Sequence, residues 1–193
     1  MRALIIAAGR GSRLEHFTDE RPKCMVEVAG SSILNHQLRA LRAHGVEDLH
    51  IIRGYLADRL VVPGAHYHAN PDWERNNILH SLFCAEEAFV GPCLTSYSDI
   101  VYTKEVVGAA LASPFDVGLV VDRQWASAYE GRDDHPPEQA ELALVDERGH
   151  VQRVGKSVRP EQGALGEFIG LASYSAQGAR ACAQTWARVR ARL

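Results

Sequence analysis

The chain lacks several features that mark whole classes of protein. No apolar run approaches the roughly 18 residues that span a membrane, and a formal net charge of −3 gives no strong field for nucleic acid or an anionic membrane. The four cysteines show neither a CxxC pair nor zinc-ligand spacing. Met1-Arg2 leads directly into an apolar segment, without a signal-peptide cleavage region. We therefore expect a cytoplasmic protein with reduced thiols and with no membrane or nucleic-acid partner.

Two common glycine-loop motifs are also absent. A Walker loop needs GxxxxGK[ST], and no such run occurs. The dinucleotide fingerprint needs a third small residue where this chain has Leu14, and an acid at the end of the second strand. That strand is predicted at His50–Arg53 and ends in Arg53-Gly54. The sequence therefore disfavours both of these nucleotide-binding loops.

A different glycine loop is present near the N-terminus, in the segment LIIAAGRGSRLEHFTDERPK. An apolar strand at Leu4–Ile6 runs into a turn that contains Gly9 and Gly11. Glycine lets the backbone approach a phosphate or a base edge where a Cβ would clash. Arg13 and Lys23 can bring two positive charges to the same place. The segment therefore predicts that a nucleoside triphosphate is bound by its phosphates.

The rest of the chain alternates strand and helix patterns, with the 46% hydrophobic content of an ordinary globular protein. We predict an α/β fold: a single-domain, Rossmann-like (GT-A-like), mostly parallel mixed sheet flanked by helices, over residues 1–193. Predicted strands are Ala3–Ala7, His50–Arg53, Cys93–Tyr97, Asp116–Val121 and Phe168–Tyr174, with a hairpin of Ala140–Val145 and His150–Val154. Predicted helices follow Ser31-Ser32 and Asn76-Asn77, and cover Lys104–Ala112 and Ala176–Arg192. In such a sheet, ligands bind at the carboxyl ends of the strands.

The pattern AAGxG[ST]RL followed by RPK resembles the signature of the nucleotidyltransferases that activate sugar phosphates and phosphoalcohols. Further segments are similar to the phosphocholine and phosphonate cytidylyltransferase branch of that superfamily. These segments are Asn70-Pro71, Asn76–Leu82 (NNILHSL), Val121–Trp125 (VDRQW), Tyr129, Arg132, His135-Pro136, Val154–Lys156 (VGK) and Gly166–Gly170 (GEFIG). The matches run from residue 3 to about residue 173.

The resemblance implies a Mg²⁺-dependent transfer of CMP from CTP to a small acceptor, with release of pyrophosphate. The implied acceptor is a phosphonate or a phosphoalcohol, of the phosphonoformate, 2-aminoethylphosphonate or phosphocholine type. Asp99 follows a buried strand and is the predicted metal ligand, since Mg²⁺ prefers carboxylate and phosphate oxygens. The predicted catalytic residues are Arg13, Lys23 and Lys156. The predicted nucleotide-binding residues are Ala7, Ala8, Gly9, Gly11, Ser12, Asn77 and Ser81, and the predicted acceptor-binding residues are Trp125, Tyr129, Arg132 and Glu167.

Simpler structural interpretations stay open for several of these residues. Asn77 can act only as a helix cap, with Ser81 packed inside the same helix. Trp125 and Tyr129 can form an aromatic wall against an acceptor cation, or serve as packing anchors for their loop. Glu167 can contact the acceptor, assist the metal, or be an ordinary strand carboxylate.

One departure from the family pattern affects the expected activity. Family members carry a second metal-binding acid in a late strand, whereas no Asp or Glu follows Glu167 here. The chain is therefore expected to be a shortened form, or to complete the metal shell with Glu167 or substrate oxygens. Two alternative functions follow: a nucleotide-binding module with little turnover, and a sugar-1-phosphate nucleotidyltransferase that uses another nucleotide.

The histidines and the C-terminal helix carry weaker expectations. No histidine pair shows the i, i+4 spacing with an intervening glutamate that marks a helical metal site. His66 and His68 are therefore interpreted as strand residues without a role, while His135 belongs to the family-like loop and is placed near a phosphate. The C-terminal helix is a candidate surface for a homodimer.

Overall fold

Ten strands and four α-helices alternate along the described part of the chain, which comprises residues 1–132, 136–163 and 165–190 of a computed structural model. The strands are β1 Arg2–Ala7, β2 Glu27–Val28, β3 Ser31–Ser32, β4 Asp48–Arg53, β5 His66–Ala69, β6 Cys93–Tyr97, β7 Val117–Asp122, β8 Leu142–Val145, β9 Val151–Gly155 and β10 Gly166–Tyr174. The helices are α1 Ile33–Arg42, α2 Ile78–Phe83, α3 Lys104–Leu111 and α4 Ala176–Val189. The alternating α/β pattern is confirmed.

The predicted helix starts follow from local capping. The Ser32 hydroxyl accepts a hydrogen bond from the Asn35 backbone N–H at 3.2 Å and begins α1. The Ser175 hydroxyl does the same for Gly178 at 3.1 Å and begins α4. The sequence pattern placed the end of α4 at Arg192, whereas the helix ends at Val189 and residues 191–193 lie outside the described part.

The chain divides into two compact units, of which the first comprises Met1–Gly118 and Ala172–Leu193. Its sheet has the order β5-β4-β1-β6, and all three pairings are parallel. In register, Ile6 of β1 lies between Ile52 of β4 and Tyr97 of β6. The carboxyl ends of these strands therefore meet at one edge of the sheet, as the fold prediction requires.

Both faces of β1 are buried, which explains its uninterrupted apolar sequence. Leu4 and Ile6 belong to a core cluster with Phe83 of α2 and Trp186 of α4, whose rings stack 4.8 Å apart. Ile5 points to the opposite face and is fully buried there. Each such aliphatic side chain contributes roughly 1.5–3 kcal/mol by leaving water, so the apolar run both creates the strand and keeps it central.

The second unit comprises Leu119–Leu171. Strands β8 and β9 form the predicted hairpin, with Leu142 opposite Gly155, and β8 also pairs antiparallel with β10. Its own small core consists of Tyr129, Ala140, Leu142 and Val158. The sheet is thus mixed, as predicted, and a single domain over residues 1–193 stays a prediction.

No helix among the described residues is both long enough and apolar enough to cross a bilayer. All four cysteines are free thiols in the structure, as their spacing predicts.

Candidate active site

The glycine loop lies directly after β1, at the carboxyl edge of the parallel sheet. Ala7 and Ala8 are buried, whereas Gly9 is exposed and has no neighbouring atom within 4 Å of an added Cβ. Gly11 has a φ of +71°, a left-handed conformation that glycine adopts without strain. It precedes a short 3-10 segment, Ser12–Thr18, whose first turn the Leu14 N–H closes on the Gly11 carbonyl at 2.9 Å.

Lys23 crosses this loop because position 11 has no side chain. A Cβ at Gly11 would lie 2.7 Å from Cδ of Lys23 and 3.0 Å from its Cβ and Cγ. The lysine stem therefore occupies the space that glycine leaves open. Its Nζ reaches the Oδ2 atom of Asp99 at 2.6 Å, and both side chains are partly buried. Lys23 and Asp99 are separated by 76 positions in sequence, and the fold places them in one ion pair.

Asp99 lies two residues beyond β6, and a buried amide fixes the turn that carries it. The side-chain NH2 group of Gln37, on α1, donates to the carbonyls of Tyr97 at 2.8 Å and Ile100 at 2.7 Å. Gln37 is fully buried, and its Oε1 has no hydrogen-bond partner among the described residues. Gln37 is thus a positioning residue for Asp99. Sequence analysis did not select it, because it lies in the apolar stripe of an ordinary amphipathic helix.

The end of β4 supports the glycine loop from the other side. The Tyr55 N–H donates to the Ala8 carbonyl at 2.9 Å. A Cβ at Gly54 would come within 2.6 Å of that carbonyl and 2.7 Å of the Trp73 side chain. Only glycine therefore permits this close approach, and Gly54 is a second residue that the motif search did not select. The predicted backbone contacts of Ala7, Ala8, Gly9, Gly11 and Ser12 with a nucleotide stay predictions.

Two arginines of this segment differ in their surroundings. Arg13 lies exposed on the 3-10 segment, one turn from the glycines. Arg10, between the glycines, contacts Asp19 at 3.7 Å and lies over the Tyr55 ring at 5.5 Å. Arg10, Arg13 and Lys23 therefore supply positive charge to the loop at the carboxyl edge, where Asp19 faces Arg10 and Asp99 faces Lys23.

Asn77 and Ser81 lie at the start of α2, on the same face of the helix as predicted. The Asn77 Oδ1 atom accepts from the Leu79 N–H at 3.0 Å and the His80 N–H at 3.1 Å, so the capping interpretation holds. Ser81 is buried, and its hydroxyl accepts from the Asn70 side chain at 2.9 Å. Their contact with a nucleotide stays a prediction.

Asn70 organises this helix start. It is almost fully buried, and its amide exchanges two hydrogen bonds of 2.9 Å with the amide of Asn76. The sequence motifs contain both asparagines but do not show that they pair. The amide pair fixes the segment that leads from β5 into α2.

The predicted acceptor residues belong to the second unit. The Tyr129 hydroxyl donates to Oε1 of Glu167 at 2.5 Å, and Tyr129 is buried in the small core with Trp125 packed against it. Burial, followed by the hydrogen bond to Glu167, raises the pKa of Tyr129 well above its usual range. Arg132 lies 5.2 Å from the ring centroid. This burial agrees with the packing-anchor interpretation of Tyr129, and acceptor binding by the four residues stays a prediction.

Lys156 is exposed immediately after β9, and its carbonyl accepts from the Arg159 guanidinium at 2.9 Å. Its role in holding an acceptor stays a prediction. His135, expected near a phosphate, lies outside the described residues.

The sequence and the fold of this chain are similar to those of known proteins. The family model of the MobA-like NTP transferase domain matches residues 3–161. The CTP:phosphoglutamine cytidylyltransferase of Campylobacter jejuni is 32% identical over 189 residues, which cover 92% of this chain and 74% of that protein. The CMP-5'-(3-aminopropyl)phosphonate synthase of Streptomyces rubellomurinus is 34% identical over 122 residues, which cover 59% of this chain and only 19% of that protein. The solved CTP:phosphocholine cytidylyltransferase of Streptococcus pneumoniae shares the fold, with a TM-score of 0.70 at 17% identity over 98% of this chain and 77% of that one.

Proposed function

The chain belongs to the MobA-like NTP transferase family, and on that premise we propose that it transfers CMP from CTP to a small phosphorylated acceptor. The observation that carries this proposal is the set formed by Gly11, Lys23 and Asp99 at the carboxyl edge of the parallel sheet. The glycine admits the lysine stem, and the lysine and the carboxylate meet at 2.6 Å. The cytidylyl specificity is supported by the C. jejuni relative, which aligns with most of this chain.

In the proposed reaction an anionic oxygen of the acceptor attacks the α-phosphorus of CTP. A new P–O bond forms to the acceptor, the bond from the α-phosphorus to the bridging oxygen breaks, and pyrophosphate leaves with that oxygen. The attacking oxygen is already ionised at neutral pH, so no general base is required. Catalysis then depends on positioning and on neutralising charge. We assign Arg13 and Lys23 to the charge that accumulates on pyrophosphate, and Lys156 to the acceptor.

Asp99 fits the Mg²⁺ that such a reaction uses. Its carboxylate is partly exposed, and it already binds one cationic group, the Lys23 ammonium. Carboxylate oxygen is the ligand type that Mg²⁺ prefers, together with phosphate oxygens and water. Bound Mg²⁺ would neutralise phosphate charge, while Asp99 would hold it and Lys23 would turn from the carboxylate towards the triphosphate.

The acceptor class is a further part of the proposal. A phosphonate or a phosphate ester was expected from the sequence motifs, and the relatives add phosphoglutamine and an aminopropylphosphonate product to that range. All of these share an ionised phosphoryl oxygen as nucleophile. We propose that the acceptor belongs to this shared class, and that phosphoglutamine should be tested first.

The test is a substrate panel with the purified full chain. CTP, UTP and ATP are each incubated with Mg²⁺ and with phosphoglutamine, 2-aminoethylphosphonate, phosphonoformate, phosphocholine or glucose 1-phosphate. Pyrophosphate and the coupled nucleotide are measured together. We expect both products with CTP and one of the first four acceptors, loss of turnover in EDTA, and recovery when excess Mg²⁺ is added.

Two outcomes would contradict the proposal. Stabilisation by CTP-Mg²⁺ without any pyrophosphate would identify a nucleotide-binding module. Turnover only with glucose 1-phosphate and another nucleotide would identify a sugar-phosphate nucleotidyltransferase.

A further inference from the structure

The amino edge of the parallel sheet, where its strands begin, carries a cluster of histidines that the proposed reaction does not use. Of the nine histidines in the chain, three lie on the neighbouring strands β4 and β5. The parallel register pairs His50 with His66 and Ile52 with His68. Because alternate residues of a strand point to one face, Asp48 and His50 of β4 share a face with His66 and His68 of β5.

Three potential ligand atoms converge in this cluster. Nε2 of His50 lies 3.0 Å from Oδ1 of Asp48. The imidazole of His66 stacks on that of His50 with 4.8 Å between the ring centroids. One ligand atom each from Asp48, His50 and His66 lie within 4.8 Å of one another. In a tetrahedral zinc site such atoms are about 3.3 Å apart, given metal–nitrogen bonds of about 2.0–2.1 Å. Metal binding would therefore require the exposed His66 side chain to move closer to Asp48 and His50.

Neighbouring groups hold two of these ligands from behind. Nε2 of His68 lies 2.9 Å from Nδ1 of His50. When the His50 Nδ1–H donates to His68, the lone pair of His50 is on Nε2 and faces Asp48. Arg2 takes the other carboxylate oxygen, with its Nε atom 3.2 Å from Oδ2 of Asp48. Such outer partners fix the tautomer and orientation of metal-binding residues.

We propose that Asp48, His50 and His66 form a binding site for one divalent transition-metal ion of the zinc class. Two imidazoles and one carboxylate suit Zn²⁺, Co²⁺, Ni²⁺ or Cu²⁺, whereas Mg²⁺ prefers an all-oxygen shell. The site lies at the amino ends of the strands, while the glycine loop lies at their carboxyl ends. The six residues of β1 separate the two edges by roughly 17–20 Å. The ion would join β4 to the outer strand β5.

One neighbouring charge limits the affinity of the cluster for a metal ion. The Arg2 guanidinium opposes a second positive charge, and Glu87, whose Oε1 lies 3.8 Å from Nδ1 of His68, offsets it only in part. Among divalent ions, the site should bind Zn²⁺ more tightly than Co²⁺, following their usual order of affinity.

The site can be tested with Co²⁺ as a spectroscopic probe. The untagged chain is titrated with Co²⁺ in the presence of excess Mg²⁺, and the visible absorption is recorded before and after Zn²⁺ is added. We expect one equivalent of Co²⁺ with the bands of a low-coordinate nitrogen and oxygen site, displaced by Zn²⁺ but not by Mg²⁺. A sulfur-to-cobalt charge-transfer band would place the ion on a cysteine and overturn the proposal.

The variants His66→Ala and His150→Ala provide a matched comparison. His150 is also exposed and also faces an aspartate, with Nδ1 3.4 Å from Oδ2 of Asp146, but it belongs to no described three-ligand group. We expect His66→Ala to weaken Co²⁺ binding at least tenfold and His150→Ala to leave it unchanged. Equal binding by the wild type and a folded His66→Ala protein would overturn the proposal.

A second measurement needs no variant. In long-range ¹H–¹⁵N spectra of the wild-type imidazoles, Zn²⁺ should shift Nε2 of His50 and one ring nitrogen of His66. Shifts confined to other histidines would overturn the proposal even if the variants failed to fold.

Discussion

The two edges of the parallel sheet in the first unit both gather charged groups, but they are built differently. At the carboxyl edge the groups come from segments that follow the strands: the glycine loop, Lys23, and Asp99 beyond β6. At the amino edge they come from the strands themselves, since Arg2, Asp48 and His66 are the first residues of β1, β4 and β5. A loop can change its partners without disturbing the sheet, whereas a strand side chain is fixed by the register.

The bonding in each cluster agrees with this contrast. The Lys23–Asp99 pair is partly exposed in a loop region, and in the proposed reaction it exchanges partners when a triphosphate binds. His50, in contrast, is held at both ring nitrogens, by His68 at 2.9 Å and by Asp48 at 3.0 Å. The carboxyl edge is therefore suited to a substrate that enters and leaves, and the amino edge to a ligand that stays.

The substitution with the largest expected effect, Lys23→Ala, tests the role of the carboxyl edge. Lys23→Ala should lower cytidylyl transfer by roughly 10²–10³-fold, since the loss of one well-aimed donor costs about 2.7–4 kcal/mol of transition-state stabilisation. This loss is measured as steady-state turnover with CTP and the acceptor that gives the highest activity. Lys104→Ala removes an exposed lysine that only approaches Glu105, at 4.0 Å, and serves as the control. Turnover within threefold of the wild type for Lys23→Ala would remove the lysine from the mechanism.

A smaller effect should follow from filling the space at Gly11. Gly11→Ala places a Cβ 2.7 Å from the Lys23 side chain at a φ of +71°, and should lower turnover roughly tenfold by displacing the lysine. Gly64→Ala has a φ of +78° with nothing within 4 Å of the added Cβ. Both variants should lose about 1–2 kcal/mol of folding free energy from the left-handed conformation.

Only Gly11→Ala should lose activity beyond this shared destabilisation. Urea unfolding and turnover measured on the same preparations separate the two effects. If Gly64→Ala lost as much turnover as Gly11→Ala, the clash with Lys23 would not be the cause.

The smallest expected effect concerns the amino edge and pH. Burial, more than any neighbour, lowers the pKa of His50 and of His68 below 6.5, against the opposing charges of Asp48 and Glu87. Below about pH 6.5 the unfolded chain therefore binds more protons than the folded one. The stability from these neutral histidines is complete above that pH and is lost as the pH falls through the lower folded-state pKa values.

Urea midpoints measured in EDTA at about pH 7.5 and about pH 5.5, one unit above and one unit below the ordinary histidine pKa, report this loss. His50→Gln should make the decline shallower, while His150→Gln, away from the cluster, should keep the wild-type slope. An unchanged slope in His50→Gln would show that the amino edge does not contribute to the pH dependence.

Much of the fold could be predicted because its signals are local. The apolar run at Ala3–Ala7 and the strand Cys93–Tyr97 match the observed β1 and β6 to within one residue, and Ser32 caps α1 as a serine in that position should. Short elements with weak periodicity, such as β2 and β3, escaped prediction because their pairing depends on a partner strand.

The candidate site was predictable in part for the same reason. Gly11 and Lys23 stand twelve positions apart in one recognisable segment, and Asp99 directly follows a buried strand. Gln37 and Gly54 were missed because their importance lies in contacts with distant backbone, the turn at Asp99 and the carbonyl of Ala8. The histidine cluster was missed because no spacing along the chain reveals the register of β4 against β5.

The sequence by itself determined the alternation of strands and helices, the glycine loop, and the family to which the chain belongs, since each depends on residues close together along the chain. Only the tertiary structure decided that Lys23 meets Asp99 and that Asp48, His50 and His66 share one face. Those contacts depend on which strands become neighbours and in what register, which is set by burial of the whole sheet and by no single segment.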